Sequence, residues 1–367
     1  MSFFTHIKNV IGFLQLPKEY RKLTFYSEGK NYWPHLEGLV REVLATSDID
    51  ICYISSGKDD PGLALEHPRF RAFKIDEGFV RNWLFENIET DVMVMTMPDL
   101  HQYQVKRSKH KVHYVYVQHS LVSLHMVYRK GAFDHFDTIF CAGPHHVKEI
   151  RAMEAKYNLP VKNLVEHGYA RLDAIIDEAA KREKPVKETT LFKHYLVAPS
   201  WGEHCIIEAG IGLKLVGQLL AEGHKVTLRP HPQTIKFSKN KVDEIVKKHV
   251  SNANFIYENN VAGQDSLHES DVMISDWSGA ALDYAFGLSK PVLFADVPRK
   301  VNNPYYKEIG LEPFESNIRC TVGAIYNGKI NGEITNKFNV NEHVYCVGYS
   351  SKVGSQYLVS CLSDKYE

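Results

Sequence analysis

Short apolar runs alternate with stretches of helical periodicity along most of the 367 residues. The apolar runs lie near residues 23–27, 50–55, 71–75, 91–97, 112–118 and 137–142, and then near 194–200, 225–230, 254–259, 271–276 and 291–296. The helical patterns lie near residues 35–44, 143–157, 205–222, 238–249 and 279–287. Strands that alternate with helices form parallel sheets, and almost continuously apolar strands are covered on both faces. The sequence therefore predicts an α/β fold with two Rossmann-like, doubly wound domains facing a cleft.

The division between the two series falls at Lys181 to Thr190, KREKPVKETT, which is charged, contains a proline and has few apolar residues. Such a segment is typical of a surface connection between domains. We expect an N-terminal, acceptor-side domain over 1–180 and a C-terminal, nucleotide-binding domain over 191–345. The last residues, 346–367, have a helical pattern that would either cap the second domain or cross back to the first.

The composition excludes several classes of protein. The 44 basic and 44 acidic residues balance, which argues against a chain built to attract nucleic acid. The six cysteines are scattered without metal-ligand spacing, which favours a reducing, cytoplasmic setting. The sequence contains no HExxH, GxxxxGK(S/T) or GxSxG motif, and we predict no metal site and no cofactor.

The first residues predict a short helix with an apolar side, followed by basic residues from Lys18. They lack the features of a secretory signal, and no apolar run is long enough to cross a bilayer. We favour a helix packed on the N-terminal domain. The alternative is peripheral contact with the inner face of the cytoplasmic membrane.

The apolar run 271–275 leads into a turn, Ser275 to Gly279, and then into a helical pattern. A helix N-terminus exposes N–H groups that bind anions, and Ser275, Ser278 and Gly279 leave room for a phosphate there. Asp276 is suited to orienting a donor or holding a hydroxyl. Plain capping of the helix by Ser278 explains the pattern equally well.

A second candidate site is Thr227 to Thr234, TLRPHPQT, where two prolines restrict the backbone around a histidine. Arg229 has the planar fork of donors that grips phosphate, and His231 is suited to donate to a phosphate oxygen or to protonate a leaving group.

Further candidates follow other strands. His119 comes directly after the run 112–118, where a histidine facing the cleft would be a general base for an acceptor hydroxyl. Arg171 and Asp173 would lie near the interdomain hinge, and Ser200 follows the first strand of the second domain.

Four motifs in order resemble those of the CDP-glycerol glycerophosphotransferase family, bacterial enzymes that build or prime teichoic-acid-like and capsular polymers. The family patterns GYPRxD, APTW, RxHP and SDYSSxxFDY correspond here to GYARLD (168–173), APSW (198–201), RPHP (229–232) and SDWSGAALDY (275–284). Two positions depart from the family pattern. Ser120 stands where a glycine commonly follows the acceptor-side histidine, and Gly279 stands where the family has its second serine.

The resemblance implies a GT-B-like fold whose second domain holds the donor nucleotide, and transfer of a polyol phosphate without an obligatory metal. Residues implied to bind the donor pyrophosphate are Arg229, His231, Ser275, Ser278 and Gly279. Asp276 and Asp283 would support the polyol or ribose side, and His119 would match the acceptor-side histidine.

The predicted function is transfer of glycerol phosphate from CDP-glycerol to a hydroxyl of a saccharide or lipid-linked acceptor, with release of CMP. Catalysis is assigned to His119 and His231. The alternatives are a CDP-ribitol or other polyol-phosphate transferase, a UDP-sugar glycosyltransferase or 2-epimerase on the same scaffold, and a non-catalytic nucleotide-binding partner in a capsule complex.

Overall fold

A computed structural model describes residues 3–182, 192–260, 263–319, 324–326, 329–331 and 339–363. The first sheet consists of β1 (Leu23–Ser27), β2 (Ile51–Ser55), β3 (Phe70–Lys74), β4 (Val92–Met95), β5 (His113–Val117), β6 (Thr138–Cys141) and β7 (Asn163–Glu166). All pairs are parallel, in the order β3-β2-β1-β4-β5-β6-β7. The helices of this part are α1 (Phe3–Leu14), α2 (Trp33–Thr46), α3 (Phe79–Asn87), α4 (Leu124–Val127), α5 (Pro144–Tyr157) and α6 (Ala170–Lys181).

The second sheet consists of β8 (His194–Val197), β9 (Lys225–Leu228), β10 (Phe255–Tyr257), β11 (Val272–Ser275), β12 (Val292–Ala295), β13 (Ala324–Tyr326) and β14 (Lys329–Asn331). Its order, β10-β9-β8-β11-β12-β13-β14, repeats that of the first sheet, and only the β13–β14 pair among these strands is antiparallel. The remaining helices are α7 (Ile211–Ala221), α8 (Pro232–Phe237), α9 (Lys239–His249), α10 (Asp265–Glu269), α11 (Gly279–Leu288), α12 (Phe314–Arg319) and α13 (Ser350–Ser363).

The central strands form because their residues are apolar on both faces. β1, β2 and β4 are buried throughout, as are β8, β11 and β12. Helices cover each sheet on two sides, which is the doubly wound α/β fold that the alternation predicts. In each sheet the strand order reverses between two adjacent strands, β1 and β4 in the first and β8 and β11 in the second. Ligands of such sheets bind at the carboxyl ends of the strands near this reversal.

The two sheets are joined by a shared apolar core. Leu121, Tyr169 and Leu172 of the first part pack in one buried cluster with Leu282 and Phe286 of α11. The connecting segment predicted over 181–190 lies outside the described residues from residue 183 onward, so the boundaries 1–180 and 191–345 stay a prediction.

The last helix, α13, packs against α2 of the first sheet, where Leu358 and Leu362 join Leu36 and Leu39 in the core. The N-terminal helix α1 is also docked, because Val10 and Phe13 are buried with β3 and α3 nearby. Over the part of the chain that the structure describes, none of the helices combines the length and apolarity needed to cross a membrane.

Candidate active site

A cleft of about 680 Å³ lies between the two sheets, at the carboxyl ends of their strands. Loops after β5, β8, β9, β11 and β12 reach into it, so side chains far apart in the sequence meet there. The predicted site residues that line the cleft are His119, Arg171, Ser200, Arg229, His231, Ser278, Gly279 and Asp283.

His119 lies on the first-sheet side of the cleft, directly after β5. Its Nδ1 is 3.1 Å from the carbonyl oxygen of Thr96, and its Nε2 is 3.2 Å from the hydroxyl of Tyr128. Because a carbonyl oxygen only accepts, Nδ1 must carry the hydrogen and donate it to Thr96. Nε2 then holds a lone pair. Burial lowers the pKa of His119 to about 4, so the ring is neutral at neutral pH and its Nε2 lone pair accepts the Tyr128 hydroxyl.

His231 has the opposite arrangement on the second-sheet side. It is the residue before α8, and its Nδ1 accepts the backbone N–H of Gln233 at 3.1 Å. The hydrogen of the neutral ring is therefore on Nε2, which makes that atom a donor. Burial, helped by the charge of Lys300, lowers the pKa of His231 to about 4. A neutral His231 can donate to an anionic oxygen without becoming charged.

A buried ion pair crosses between the two parts. Arg171 of α6 donates from Nε to Asp283 of α11 at 3.1 Å, and both side chains are largely buried. Burial raises the pKa of Asp283 despite this partner. Nearby, Arg229 donates to the Ser266 hydroxyl and to the carbonyl of Gly263, each at 3.0 Å, which holds its guanidinium at the cleft wall.

The N-terminus of α11 opens into the cleft. Ser278 is its N-cap, and its hydroxyl accepts the N–H of Ala280 at 3.3 Å. Gly279 is the first helical residue and also lines the cleft. Ser278 therefore both caps α11 and lines the cleft, so helix capping and phosphate binding are compatible interpretations of the sequence pattern.

Three residues predicted to contact substrate do not line the cleft, because protein groups engage their side chains. Asp173 accepts from the N–H groups of Gly348 and Ser350 and from the Ser350 hydroxyl, which ties it to the start of α13. The hydroxyl of Ser275 donates to the carbonyl of Ala198 at 2.7 Å. For these residues the geometry favours a supporting role over direct contact.

Asp276 is the third of these residues and is fully buried. Its carboxylate accepts from the N–H of Ser200 at 2.7 Å and from the N–H of Ile206 at 3.0 Å. It therefore shapes the loop after β8, whose residues Ser200 and Trp201 form part of the cleft wall.

The most informative cleft residue absent from the sequence prediction is Lys300. It lies in the loop after β12, donates to the Ser200 hydroxyl at 2.8 Å and sits 4.5 Å from the centre of the Trp201 ring. Burial lowers its pKa from the ordinary value for lysine. No motif includes Lys300, so the one sequence feature that could have pointed to it is its position after a buried parallel strand. Tyr32, His35 and Tyr128, which surround His119, also carried no motif.

Two parallel-sheet units that face a cleft lined by cationic and hydroxyl groups define a protein of GT-B-like fold with a site suited to an anionic ligand. The family model described as CDP-Glycerol:Poly(glycerophosphate) glycerophosphotransferase matches residues 134–301. This range contains α6, the cleft loops after β8, β9 and β11, and Lys300 of the loop after β12. The family resemblance predicted from the motifs is thereby confirmed over this segment.

Solved structures similar to this chain have the same fold. The wall teichoic acid polymerase TagF, a single-residue variant soaked with CDPG, has a TM-score of 0.57 and 14% sequence identity, with 99% of this chain and 97% of that chain covered. The UDP-GlcNAc 2-epimerase of Methanocaldococcus jannaschii, in complex with UDP-GlcNAc and UDP, has a TM-score of 0.59 and 15% identity over 92% of this chain and 99% of that one. The S. aureus MnaA–UDP structure has a TM-score of 0.55 and 12% identity, covering 94% and 97%. No curated protein sequence matches the chain.

Proposed function

We propose that this protein transfers glycerol phosphate from CDP-glycerol to an acceptor hydroxyl in the synthesis of a teichoic-acid-like or capsular polymer, and releases CMP. The observation that carries the proposal is the pairing of two neutral histidines across one cleft, with a proton acceptor at His119 Nε2 and donors at His231 Nε2 and Lys300. The match over residues 134–301 supports the choice of reaction.

In the proposed step, the acceptor oxygen attacks the phosphorus that bears glycerol. A new P–O bond forms, the bond from that phosphorus to the bridging oxygen breaks, and the bridging oxygen leaves with CMP. The proton of the acceptor hydroxyl passes to His119 Nε2 and then to solvent. Fixed donors aimed at developing charge are usually the largest contribution to catalysis. Lys300, His231 and Arg229 are placed to stabilise the charge on the diphosphate.

The buried ion pair of Arg171 and Asp283 would fix the position of the first-sheet side of the site relative to the second-sheet side. Neither residue needs to react. Removing the arginine would leave a buried carboxylate without its charged partner, which is strongly unfavourable. We therefore propose that Arg171 positions Asp283 at the polyol or ribose side of the donor.

The test of this function is CMP release from purified protein supplied with CDP-glycerol and a panel of saccharide and lipid-linked acceptors. Thermal shifts with CDP-glycerol, CDP-ribitol, CMP and UDP-GlcNAc identify the preferred nucleotide, because a ligand of the folded state raises the melting temperature. We expect cytidine diphosphate compounds to give the largest shifts. Stabilisation by UDP-GlcNAc alone would refute the proposal and favour sugar-nucleotide chemistry. Donor binding without CMP release with any acceptor would favour a non-catalytic partner.

We further propose that the protein works in the cytoplasm, in peripheral contact with the inner membrane face. The support is the exposure of three apolar side chains, Phe4 and Ile11 of α1 at 80% and 47% and Phe79 at the start of α3 at 74%. Apolar side chains on a surface helix insert into the headgroup region. We expect the wild type to cosediment with anionic lipid vesicles and the double variant Phe4→Ser, Ile11→Ser to remain in solution. Equal cosedimentation of the wild type and the variant would contradict the proposed membrane contact.

A further inference from the structure

Ser120 and Gly279 meet across the cleft, one from each half of the molecule. Ser120 follows His119 after β5, and Gly279 begins α11. A Cβ built on Gly279 would overlap the Ser120 hydroxyl oxygen, well inside van der Waals contact. Its next nearest neighbours, Ser120 Cβ and Val122 Cγ1, lie at an ordinary 3.6 Å. Of the three atoms nearest to that Cβ, the Ser120 hydroxyl oxygen is the one that would have to move if position 279 carried a side chain.

These two residues are also the two departures from the family pattern, which has glycine at the first position and serine at the second. Together, the two departures place on the first-sheet loop a hydroxyl that the family pattern described above has on α11, and we refer to this pair of differences as the exchange. Both residues line the same part of the cleft as Ser278.

We propose that the Ser120 hydroxyl binds the diphosphate of the nucleotide donor at the N-terminus of α11, in the space that Gly279 leaves by having no side chain. This inference rests on the proposed function. A helix N-terminus attracts an anion through its first N–H groups, and a hydroxyl beside it adds one donor with a charged acceptor. Because Ser120 belongs to the first sheet, the bound donor then connects the two halves of the molecule.

The exchange can be tested by reversing it. We compare CDP-glycerol affinity by calorimetry, and CMP release, in the wild type and in Ser120→Gly, Gly279→Ser and the double variant. Each single change should weaken CDP-glycerol binding by about tenfold or more, since a hydrogen bond to a charged group is lost or displaced. The double variant, whose hydroxyl again has room, should recover most of the affinity.

Two controls separate the hydroxyl from other effects. Ser120→Ala removes the hydroxyl without the backbone freedom of glycine and should match Ser120→Gly. Ser251→Gly changes an exposed serine on a turn after α9 and should bind CDP-glycerol like the wild type. Cytidine, which has no phosphate, should bind all variants alike.

The outcomes distinguish the inference from the function on which it rests. Two results would overturn the inference and leave the proposed function standing, provided that the wild type binds CDP-glycerol. In the first, Ser120→Ala binds CDP-glycerol as tightly as the wild type. In the second, the loss of CDP-glycerol affinity in the double variant equals the sum of the losses in the two single variants. If the wild type binds no cytidine diphosphate compound, both are overturned.

Discussion

At the scale of single residues, the backbone decides what each histidine of the cleft can do. The Thr96 carbonyl places the hydrogen of His119 on Nδ1, and the Gln233 N–H places that of His231 on Nε2. Two chemically identical side chains thus offer the cleft a lone pair and a donor. Burial keeps both rings neutral, since each pKa is lowered to about 4.

Replacing His119 by glutamine should remove the proton acceptor while keeping a polar side chain of similar size. We expect turnover to fall by about 10²–10⁴-fold, the usual contribution of a positioned general base. CDP-glycerol affinity should be largely unchanged, because most of the residues proposed to bind the donor belong to the second sheet. CMP release and calorimetry measure the two effects. His110→Gln, at an exposed position, is the matched control. Wild-type turnover in His119→Gln would exclude its role as base.

Replacing Lys300 by methionine should remove a cation while keeping the length of the side chain. Turnover should fall by roughly 10²-fold, as when one donor to developing charge is lost. The KM for CDP-glycerol should rise, because the ground-state diphosphate is also anionic. The exposed Lys247→Met on α9 serves as control in the same steady-state assay. Identical kinetics in both variants would show that Lys300 does not face the donor.

At the scale of elements, the strands could be predicted because burial on both faces leaves a continuous apolar run. β1 begins and ends where the sequence predicts, at Leu23 and Ser27. β7 was not predicted, since its residues Asn163–Glu166 are half-buried or exposed at the edge of the sheet.

The helix predicted over 205–222 begins only at Ile211. Asp276 binds the N–H of Ile206 and so holds the preceding residues in a turn, a contact over 70 positions that no local pattern reveals.

The start of α13 should depend on one carboxylate. Asp173 accepts three hydrogen bonds from Gly348 and Ser350, and alanine at this position would leave those donors without their charged acceptor. We expect Asp173→Ala to lower the free energy of unfolding by about 3 kcal/mol in urea denaturation. Asp177 is exposed on α6, the helix that also contains Asp173, and Asp177→Ala should have little effect on the free energy of unfolding. A similar loss in both variants would show that the carboxylate is not what anchors α13.

At the scale of the whole molecule, the candidate site depends on how the two sheets face each other. Arg171 and Asp283 are each predicted as site residues from their motifs, but the ion pair between them depends on α6 packing against α11. The same holds for Ser120 and Gly279. Sequence patterns with a period of two or four residues report burial within one element. They contain no information on which loops meet across a cleft, and for that reason Lys300 was missed.

The pH dependence of global stability should contain a measurable contribution from His167, which stacks on Phe140 beneath α13. Burial lowers its pKa from 6.5 to about 4, so between these values the unfolded chain binds the extra proton. The contribution of neutral His167 is thus complete above about pH 6.5 and is lost as the pH falls towards 4.

Comparison with His167→Gln isolates this contribution from those of other groups. Relative to the variant, the wild type should lose on the order of 3 kcal/mol of unfolding free energy between pH 7 and pH 4. Urea denaturation at a series of pH values measures the difference. Parallel pH profiles for the two proteins would show that His167 titrates normally.

The packing of α13 on α2 has a consequence for how the protein is made. The helical cover of the first sheet is completed by residues 350–363, which leave the ribosome after every strand of the second sheet. Leu36 and Leu39 therefore remain without part of their apolar covering throughout synthesis of the intervening residues. Domains usually fold as units during translation, N-terminal first. In this protein the first sheet can complete its packing only after α13 has been synthesised. Nascent chains should therefore need protection from aggregation until synthesis is almost finished.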